Sequence, residues 1–354
     1  MKQPILGLVG TGVMVLVALG FIKSINFAFF MGWVAYVLVC MVPVELTVCV
    51  LWQSRASAAI EKLGQPVKGI LLTLFVVVTG ALIAGIAFYT VGGGYAPPSP
   101  ILNLYVISIV CLAFFALFVL KGWPLTLIPN RFVSGVAFLA GLHVVGYVLF
   151  RVFFNFGFMT GAPVYVPSLD PHGVFNAWVA VTFYVAVVAA IFIALSFDLW
   201  PLTKAPNLLS RRTLPFVWGA AALVTAFALL ESFVNVLKVD VVVVMVRILI
   251  AFVFGAIIVL VVFQGSLFAK VSQPFKGILN VLAAAVAGGG LSIVYVHLAT
   301  ALAGMPLAGG APQYVLEIWL ASALLAVTFP FLSGLAGLFE YWPLVRPPQV
   351  APGK

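Results

Sequence analysis

Ten apolar runs divide this 354-residue chain, and short polar or glycine- and proline-rich segments separate them. A helix of about 20 residues rises about 30 Å, which matches the hydrocarbon core of a membrane. The pattern therefore predicts an all-α, polytopic integral membrane protein. Spans 1 to 10 are predicted over residues 4–22, 26–52, 68–92, 101–120, 132–154, 174–197, 214–237, 240–263, 277–302 and 314–338.

The composition excludes a water-soluble globule. Hydrophobic residues make up 65% of the chain and charged residues only 7%, whereas about 25% of an ordinary soluble domain is charged. The formal charge of +9 comes from basic residues scattered at the ends of the apolar runs. Basic residues that bind nucleic acid are clustered on one face, so we expect the lipid bilayer, and not nucleic acid, as the main partner.

Lysine and arginine placement predicts that both termini are cytoplasmic, because positive residues are retained on that side during insertion. With this orientation, thirteen of the 17 basic residues fall in cytoplasmic segments; the exceptions are Lys23, Arg151, Lys238 and Arg247. The N-terminal apolar run lacks a small-residue cleavage site, which favours a retained first span. We expect a multi-pass protein of the cytoplasmic (inner) membrane.

The sequence pattern of one helical hairpin is repeated at least three times. The stretch GQPVKGILLTL at 64–74 returns as SQPFKGILNVL at 272–282, and each begins a span on the cytoplasmic side. The hairpins at spans 3–4, 5–6 and 9–10 each contain a Gly-Ala-Pro-like outer loop and a final Trp-Pro-Leu, so the repeats are parallel. The predicted organisation is a first four-helix repeat (1–127), a central hairpin (128–207), a second four-helix repeat (208–347) and a short cytoplasmic tail (348–354).

The Trp-Pro-Leu copies lie at Trp123, Trp200 and Trp342. Proline lacks a backbone N–H and disfavours helix in the residue before it, so it is predicted to end each span. Tryptophan suits the headgroup layer, so these three residues are predicted interface anchors. The alternative is a cytoplasmic collar that binds a partner subunit or lines an entrance.

Ionisable residues inside spans are candidates for function because they are costly in lipid. Glu45 follows the helix-distorting Pro43 and is a candidate proton or cation site. The alternatives are an interhelical hydrogen bond and a carboxylate that leans toward the cytoplasm. Glu231 and Arg247 lie at similar depth on helices joined by a short turn, so they are expected to pair, either to neutralise each other or to handle an anion or a proton. Arg151 is expected to reach the outer headgroups or an outer vestibule.

The sequence contains three histidines and three cysteines. His143 and His297 are candidate binding residues, but their different depths disfavour haem ligation by the two together. His172 and Asp170 share a proline-rich loop, where a turn is favoured over a metal site. Cys40, Cys49 and Cys111 lack metal-ligand spacing, and no metal site is predicted. The identity of any cofactor, quinone or haem included, stays open.

The favoured function is a transporter or channel for a small solute, with proton coupling through Glu45 or Glu231 as an option. Its pathway is expected between the two four-helix halves and the central hairpin. The alternative is an accessory membrane-anchor subunit of a larger respiratory or quinone-linked complex, with partner membrane subunits. An enzyme is not favoured, because Walker, His-Glu-x-x-His, Gly-x-Ser-x-Gly and Cys-x-x-Cys motifs are missing from the sequence.

Overall fold

The computed structural model describes residues 1–55, 58–204 and 213–345, and within these ranges ten helices are long and apolar enough to cross a membrane. Each helix end lies within three residues of the predicted one. The predicted tail, 348–354, lies outside the described residues. The helices are α1 Ile5–Lys23, α2 Phe27–Leu51, α3 Val67–Thr90, α4 Pro100–Val119, α5 Arg131–Phe153, α6 Ala177–Ser196, α7 Leu214–Val236, α8 Val241–Val262, α9 Phe275–Ala303 and α10 Val315–Leu338.

The even-numbered helices form the centre of the molecule. In their most apolar stretches 56% to 72% of the residues are buried, compared with 22% to 33% for the odd-numbered helices. Helix α2 contacts α4 and α10, α4 contacts α6, α6 contacts α8, and α8 contacts α10. The five even helices therefore close into a ring.

The odd-numbered helices form an outer layer. Helix α3 packs against α2 and α10, α5 against α4 and α2, α7 against α6 and α4, α9 against α8 and α6, and α1 against α10 and α8. Each buries mainly one narrow stripe, such as Gly69, Leu72, Val76 and Gly80 on α3. A narrow buried stripe is typical of a helix that touches protein on one side only. The remaining apolar side chains face outward; Val286 on α9, for example, is 76% exposed.

A glutamine before a proline attaches three outer helices to the ring. The side-chain oxygens of Gln3, Gln65 and Gln273 each accept a hydrogen bond of 3.1 Å from the backbone N–H of the glycine four residues later. Their side-chain nitrogens donate to carbonyls at the ends of even helices: Val262 at 2.9 Å, Leu338 at 2.8 Å and Ser196 at 3.3 Å. Each glutamine therefore caps its own helix and binds the end of another.

Left-handed residues, and not the prolines of Trp-Pro-Leu, end the even helices. Helices α4, α6 and α10 each end four residues before Trp123, Trp200 or Trp342. The turns that follow contain the residue pairs Lys121–Gly122, Asp198–Leu199 and Glu340–Tyr341, all with φ between 50° and 74°. A left-handed residue stops an α-helix. The predicted role of proline as the terminator is therefore wrong, because the chain has turned before it reaches the proline.

The closest helix crossing joins α8 to α9. A Cβ atom added at Gly255 would overlap the carbonyl of Ala284, and one added at Gly288 would overlap the carbonyl of Ala251. Small residues let two helix backbones approach in this way, which allows close van der Waals packing without a hydrophobic driving force. The crossing holds an outer helix directly on the backbone of a ring helix.

Helix α2 continues through Pro43 without a break. Wider, π-helical turns lie on both sides of the proline, at Phe30–Val34 and Thr47–Leu51. The Thr47 hydroxyl donates a 2.8 Å hydrogen bond to the Pro43 carbonyl. Further π-helical turns occur at Phe115–Val119, Glu231–Val236, Val244–Ile250, Ile258–Val262, Ser322–Thr328 and Gly334–Leu338.

The two ends of the bundle differ. We call the end with the starts of the odd helices and with Trp123, Trp200 and Trp342 the tryptophan face, and the opposite end the loop face. On the loop face, β1 (Phe154–Asn155) and β2 (Phe175–Asn176) pair in parallel. The remaining short helices are Ala58–Glu61, Leu125–Leu127, Gly157–Met159, Pro167–Leu169 and Leu202–Lys204.

Candidate functional site

A cavity of about 180 Å³ lies in the centre of the ring, and all five even helices contribute to its wall. The wall is mainly apolar, and representative lining residues are Val39 on α2, Leu104 on α4, Val185 on α6, Ile250 on α8 and Leu325 on α10. The residues reach from the loop-face ends of these helices to their middle. The cavity therefore follows the axis of the ring through about half of its length.

Asn103 is the one side-chain amide among the residues that line this cavity. Its side chain has no hydrogen-bond partner among the described residues and is only partly buried. An amide offers two donor hydrogens and an acceptor oxygen. Asn103 can therefore orient a polar group of a small molecule inside a wall that otherwise offers mainly apolar contact.

A phenylalanine cluster adjoins the cavity at its deeper end. The Phe114 ring centroid lies 5.7 Å from that of Phe192 and 6.1 Å from that of Phe329. Phe118 lies 5.8 Å from Phe114 and 6.1 Å from Phe192. Phe114 and Phe329 also line the cavity. The cluster therefore joins α4, α6 and α10 at this end of the cavity.

Glu45 lies beside the phenylalanine cluster. The residue is 3% exposed, and its Oε1 is 2.7 Å from the Ser333 hydroxyl, which is also 2.9 Å from the Phe329 carbonyl. Val42, one turn before Glu45, and Phe329, one turn before Ser333, both line the cavity. The candidate carboxylate is therefore one turn away from the cavity wall.

The single hydroxyl proton of Ser333 links the protonation of Glu45 to its hydrogen bonding. An ionised Glu45 only accepts, so Ser333 must donate to it and leave the Phe329 carbonyl. A neutral Glu45 donates to Ser333, which can then donate to Phe329. The Ser333 hydroxyl can therefore bond Glu45 Oε1 in either protonation state of the carboxyl group.

Arg247 pairs with Glu317, and not with Glu231 as the sequence predicted. The Arg247 Nε lies 3.0 Å from Glu317 Oε1, and Nη2 bonds the same oxygen. Glu317 Oε2 accepts from the Gly310 N–H at 3.0 Å, while Glu231 accepts instead from Asn235 at 2.7 Å. The predicted pairing fails because the ring places α10 beside this face of α8, and α7 lies elsewhere in the outer layer.

A second contact joins α8 to the start of α10. The Tyr314 hydroxyl donates a 2.7 Å hydrogen bond to Asp240 Oδ2. Burial, together with the Asp240 carboxylate, raises the pKa of Tyr314 to about 12, so the tyrosine stays a neutral donor. The Tyr314 ring lies 6.0 Å from that of Trp178, which lines the cavity. These contacts hold the 304–314 loop at the mouth of the ring.

The other candidates lie on outer helices. Arg151, near the loop-face end of α5, is exposed and has no partner among the described residues. His297 on α9 is exposed, and its Nδ1 lies 2.8 Å from the Ile293 carbonyl of its own helix. His143 on α5 lies 3.2 Å from the Tyr105 hydroxyl. The two histidines are therefore on different outer helices, and each has a partner of its own.

Asp170 organises the 154–176 segment. Its two oxygens accept hydrogen bonds from the backbone N–H groups of Phe156 and His172 and from the Tyr165 hydroxyl, at 2.8 to 3.3 Å. Its side chain is fully buried, and the His172 ring lies at 3.6 Å. The carboxylate holds a folded loop, and among the described residues no group of three or more His, Cys, Asp or Glu has a metal-binding arrangement.

The three tryptophans differ in exposure. Trp123 is 57% exposed, whereas Trp200 and Trp342 are half-buried. The indole nitrogen of Trp200 is buried without a partner among the described residues. Cys40 and Cys111 are buried free thiols, and Cys49 is half-buried.

Sequence reasoning missed Asn103 and Glu317, although a signal for both existed. The stretch ILNLYVIS at 101–108 matches VLEIWLAS at 315–322, so these two residues occupy the same place in two hairpins. The structure shows that Leu104 and Ile318, one position further on, both line the cavity. Comparing the hairpins residue by residue would have indicated that both positions lie at the loop-face end of a ring helix.

Comparison with known proteins finds no matching family model, no similar curated protein and no similar solved structure.

Proposed function

We propose that the protein is a membrane channel or carrier that moves a small solute along the axis of the five-helix ring. The central cavity, enclosed by all five even helices, is the observation that carries this proposal. In this proposal the solute enters the cavity from the loop face, and the phenylalanine cluster closes the deeper end. The arrangement corresponds to a pathway in a closed state.

The cavity limits the solute to a small and weakly polar molecule. An apolar cavity of about 150 Å³ holds benzene, so the 180 Å³ here fits a molecule of similar size. A purely apolar molecule crosses a bilayer without help, and an ion would lose its hydration against this wall at high cost. Short-chain alcohols, amides and protonated acids fit both limits, with Asn103 as their hydrogen-bond partner.

Proton coupling is proposed through Glu45. The Glu45–Ser333 pair lies beside the phenylalanine cluster, and the Ser333 hydroxyl can bond the carboxyl group whether it is neutral or ionised. Glu231, the other carboxylate that the sequence suggested, lies on the outer helix α7 and accepts from Asn235. Glu45 is therefore the better candidate for coupling.

The proposed setting is the cytoplasmic membrane, with the tryptophan face and both termini in the cytoplasm. Basic residues support this orientation: Lys62, Lys68, Lys121, Lys270 and Lys276 are among those near the tryptophan face. We also propose that parallel hairpin repeats built the ring, and that their number is five. The three glutamine junctions and the alternation of inner and outer helices support it.

Solute flux into liposomes tests the proposal. The purified protein is reconstituted, and uptake of glycerol, urea, acetamide and acetic acid is followed by stopped-flow light scattering. In a background with Cys40, Cys49 and Cys111 replaced by alanine, Asn103→Cys and Leu325→Cys place single thiols in the cavity wall. Val286→Cys, on the outer surface of α9, is the matched control.

A thiol reagent is expected to reduce flux by more than half at positions 103 and 325 and to leave the 286 variant unchanged. Equal effects at all three positions would exclude the ring as the pathway. Flux of every solute equal to that of protein-free liposomes would exclude the proposed function.

An accessory subunit of a larger complex is the second candidate, and the exposed Trp123 side chain at the tryptophan face favours it. Native mass spectrometry after release in mild detergent separates the two. A constant set of partner chains supports the subunit, and a single chain or homo-oligomer supports the channel.

A further inference from the structure

A second cavity, of about 650 Å³, opens on the outer surface of the bundle between α3 and α5. We call it the α3–α5 groove, and its walls include Phe75, Thr79 and Ile83 of α3, His143 and Val144 of α5, and Tyr105 of α4. Sites for small molecules commonly have volumes of about 300–1,000 Å³, mainly apolar walls and a few polar groups. The groove has this composition.

The Thr79 hydroxyl is available to a ligand. The threonines at 73, 90 and 182 each donate to the carbonyl four residues earlier in their own helix, at 2.7 to 2.8 Å. Thr79 makes no such bond, and its hydroxyl has no partner in the part of the chain that the structure describes. A free hydroxyl in an apolar wall lacks the hydrogen bond that it would make in water.

His143 supplies a second unpartnered group. Its Nδ1 lies 3.2 Å from the Tyr105 hydroxyl, whose oxygen has no other partner among the described residues. If the tyrosine donates to Nδ1, a neutral imidazole carries its proton on Nε2. The Nε2 atom is buried and has no partner, so the histidine offers one donor to an acceptor on a ligand.

Thr79 and His143 lie at the same depth. Each is twelve residues from the start of its helix, and both helices start at the tryptophan face. Since α3 and α5 have 24 and 23 residues, both groups lie near the middle of the span. A charged phospholipid headgroup cannot reach this depth at reasonable cost. The matching ligand carries neutral acceptors on a molecule that is itself soluble in the hydrocarbon core.

We propose that the α3–α5 groove binds the head group of a prenyl quinone, whose ring carbonyls accept hydrogen bonds from Thr79 and His143. The two carbonyls of a quinone match two donors on facing helices, and its chain fits the apolar walls. Because Nε2 is buried, binding includes a shift of the side chains around it, while Nδ1 keeps its contact with the Tyr105 hydroxyl.

Binding of decylubiquinone to the full chain in phosphatidylcholine nanodiscs tests the proposal. Tryptophan quenching reports occupancy, because the Trp52 ring lies 5.4 Å from that of Phe75 in the groove wall. Thr79→Val and His143→Leu each remove one donor. Thr90→Val is the matched control, since Thr90 also lines the groove but donates to Ile86 of its own helix. Thermal unfolding checks that each variant is folded.

We expect saturable binding that is weakened about tenfold by Thr79→Val and by His143→Leu, since one hydrogen bond is worth about that factor. Thr90→Val should bind as the unaltered protein does, and Ala140→Trp, which fills the groove, should abolish binding.

Three results would overturn the proposal. Quenching that does not saturate indicates simple partitioning of the quinone into the bilayer. Equal quenching in the two donor variants and in the Thr90→Val control indicates the same. Phospholipid that remains bound in native mass spectra and is not displaced by decylubiquinone identifies an ordinary lipid site. If the protein is a dimer and Ala140→Trp dissociates it, a second copy of the chain occupies the α3–α5 groove.

Discussion

At the residue scale, the buried charges separate into two kinds. Glu317 has a charged partner, because Arg247 lies against it and its carboxylate is only 1% exposed. Glu45 has instead the neutral partner Ser333, next to a cavity. A buried carboxylate with a cation at hydrogen-bond distance has its charge neutralised, whereas one beside a hydroxyl has a hydrogen bond but no neutralising charge. Glu317 therefore joins α8 to α10, and Glu45 is the carboxylate that we propose for coupling.

Replacing Arg247 should destabilise the protein, because the buried Glu317 carboxylate depends on its charge. Arg247→Gln leaves the Glu317 carboxylate buried without its cation, and we expect a loss of about 2–3 kcal/mol, below the full value for a buried pair because the arginine is 39% exposed. Thermal unfolding in detergent measures the change. Arg151→Gln, which removes an exposed arginine, is the control, and equal losses in both variants would contradict the assignment.

Removing the Ser333 hydroxyl tests the environment of Glu45. Ser333→Ala deletes the hydrogen bond to a buried carboxyl group, so we expect a loss of about 1–3 kcal/mol. Ser322→Ala is the control on the same helix, since that hydroxyl donates only to Ile318 of its own turn. The unfolding temperatures of the two variants are compared, and no difference between them would show that Ser333 is not needed by Glu45.

At the element scale, the contacts between an outer helix and the ring depend on a few positions. The Lys276 ammonium lies 2.8 Å from Asp198 and joins the start of α9 to the end of α6. Partial burial alone would raise the pKa of Asp198, but hydrogen bonds from Lys276 and Gln273 hold it below its usual range. The Lys68–Glu340 pair, at 2.6 Å, joins α3 to α10 in the same way.

The Lys276–Asp198 ion pair should stabilise the folded protein at neutral pH and lose this effect in acid. A carboxylate with a depressed pKa stabilises the folded state above its unfolded pKa of about 3.9, and this is lost as the pH falls through the folded pKa. We expect Lys276→Met to cost less than about 1 kcal/mol at pH 7, because the pair is partly exposed. The difference from the unaltered protein should shrink toward pH 3 in unfolding measurements. A difference that is the same at both pH values, or that Lys270→Met reproduces, would contradict this.

Neighbouring glycines of α9 should respond in opposite ways to alanine. Gly288→Ala places a methyl group against the Ala251 carbonyl of α8, and we expect a loss of at least about 2 kcal/mol as the helices separate. Gly290→Ala meets no atom within 4 Å, so it should be neutral or stabilise by up to about 1 kcal/mol. Unfolding temperatures compare the two, and similar losses would mean that the crossing is not tight.

At the scale of the whole molecule, the ring takes helices from every predicted segment. Helices α2 and α4 belong to 1–127, α6 to 128–207, and α8 and α10 to 208–347. The division into two four-helix repeats and a central hairpin stays a prediction. The alternation of ring and outer helices describes the molecule more simply, because each hairpin supplies one helix to each layer.

Weakening the phenylalanine cluster should open the proposed pathway. Phe114→Leu removes the aromatic ring that contacts Phe192 and Phe329 and leaves a smaller apolar side chain. We therefore expect solute flux into liposomes to rise several-fold. Phe216→Leu, on the outward face of α7 where the side chain is 68% exposed, is the control. An unchanged flux in the Phe114 variant would show that the cluster does not limit passage.

The sequence by itself determined the ten helices, their ends and their apolar character. Each helix satisfies its own backbone hydrogen bonds, and a run of about twenty apolar residues is therefore enough to specify it. The copied Gln-Pro and Trp-Pro-Leu stretches also marked the tryptophan face. These features depend on residues close together in the chain, and the sequence displays them directly.

Only the tertiary structure decided which helices are neighbours. Nearly every helix is apolar on all sides, so hydrophobic periodicity does not distinguish a ring helix from an outer one. The choice depends on small contacts far apart in the chain, such as Gly255 against Gly288 and Gln65 against Leu338. Those contacts placed Glu317, and not Glu231, beside Arg247, and they placed Asn103 in the wall of the central cavity.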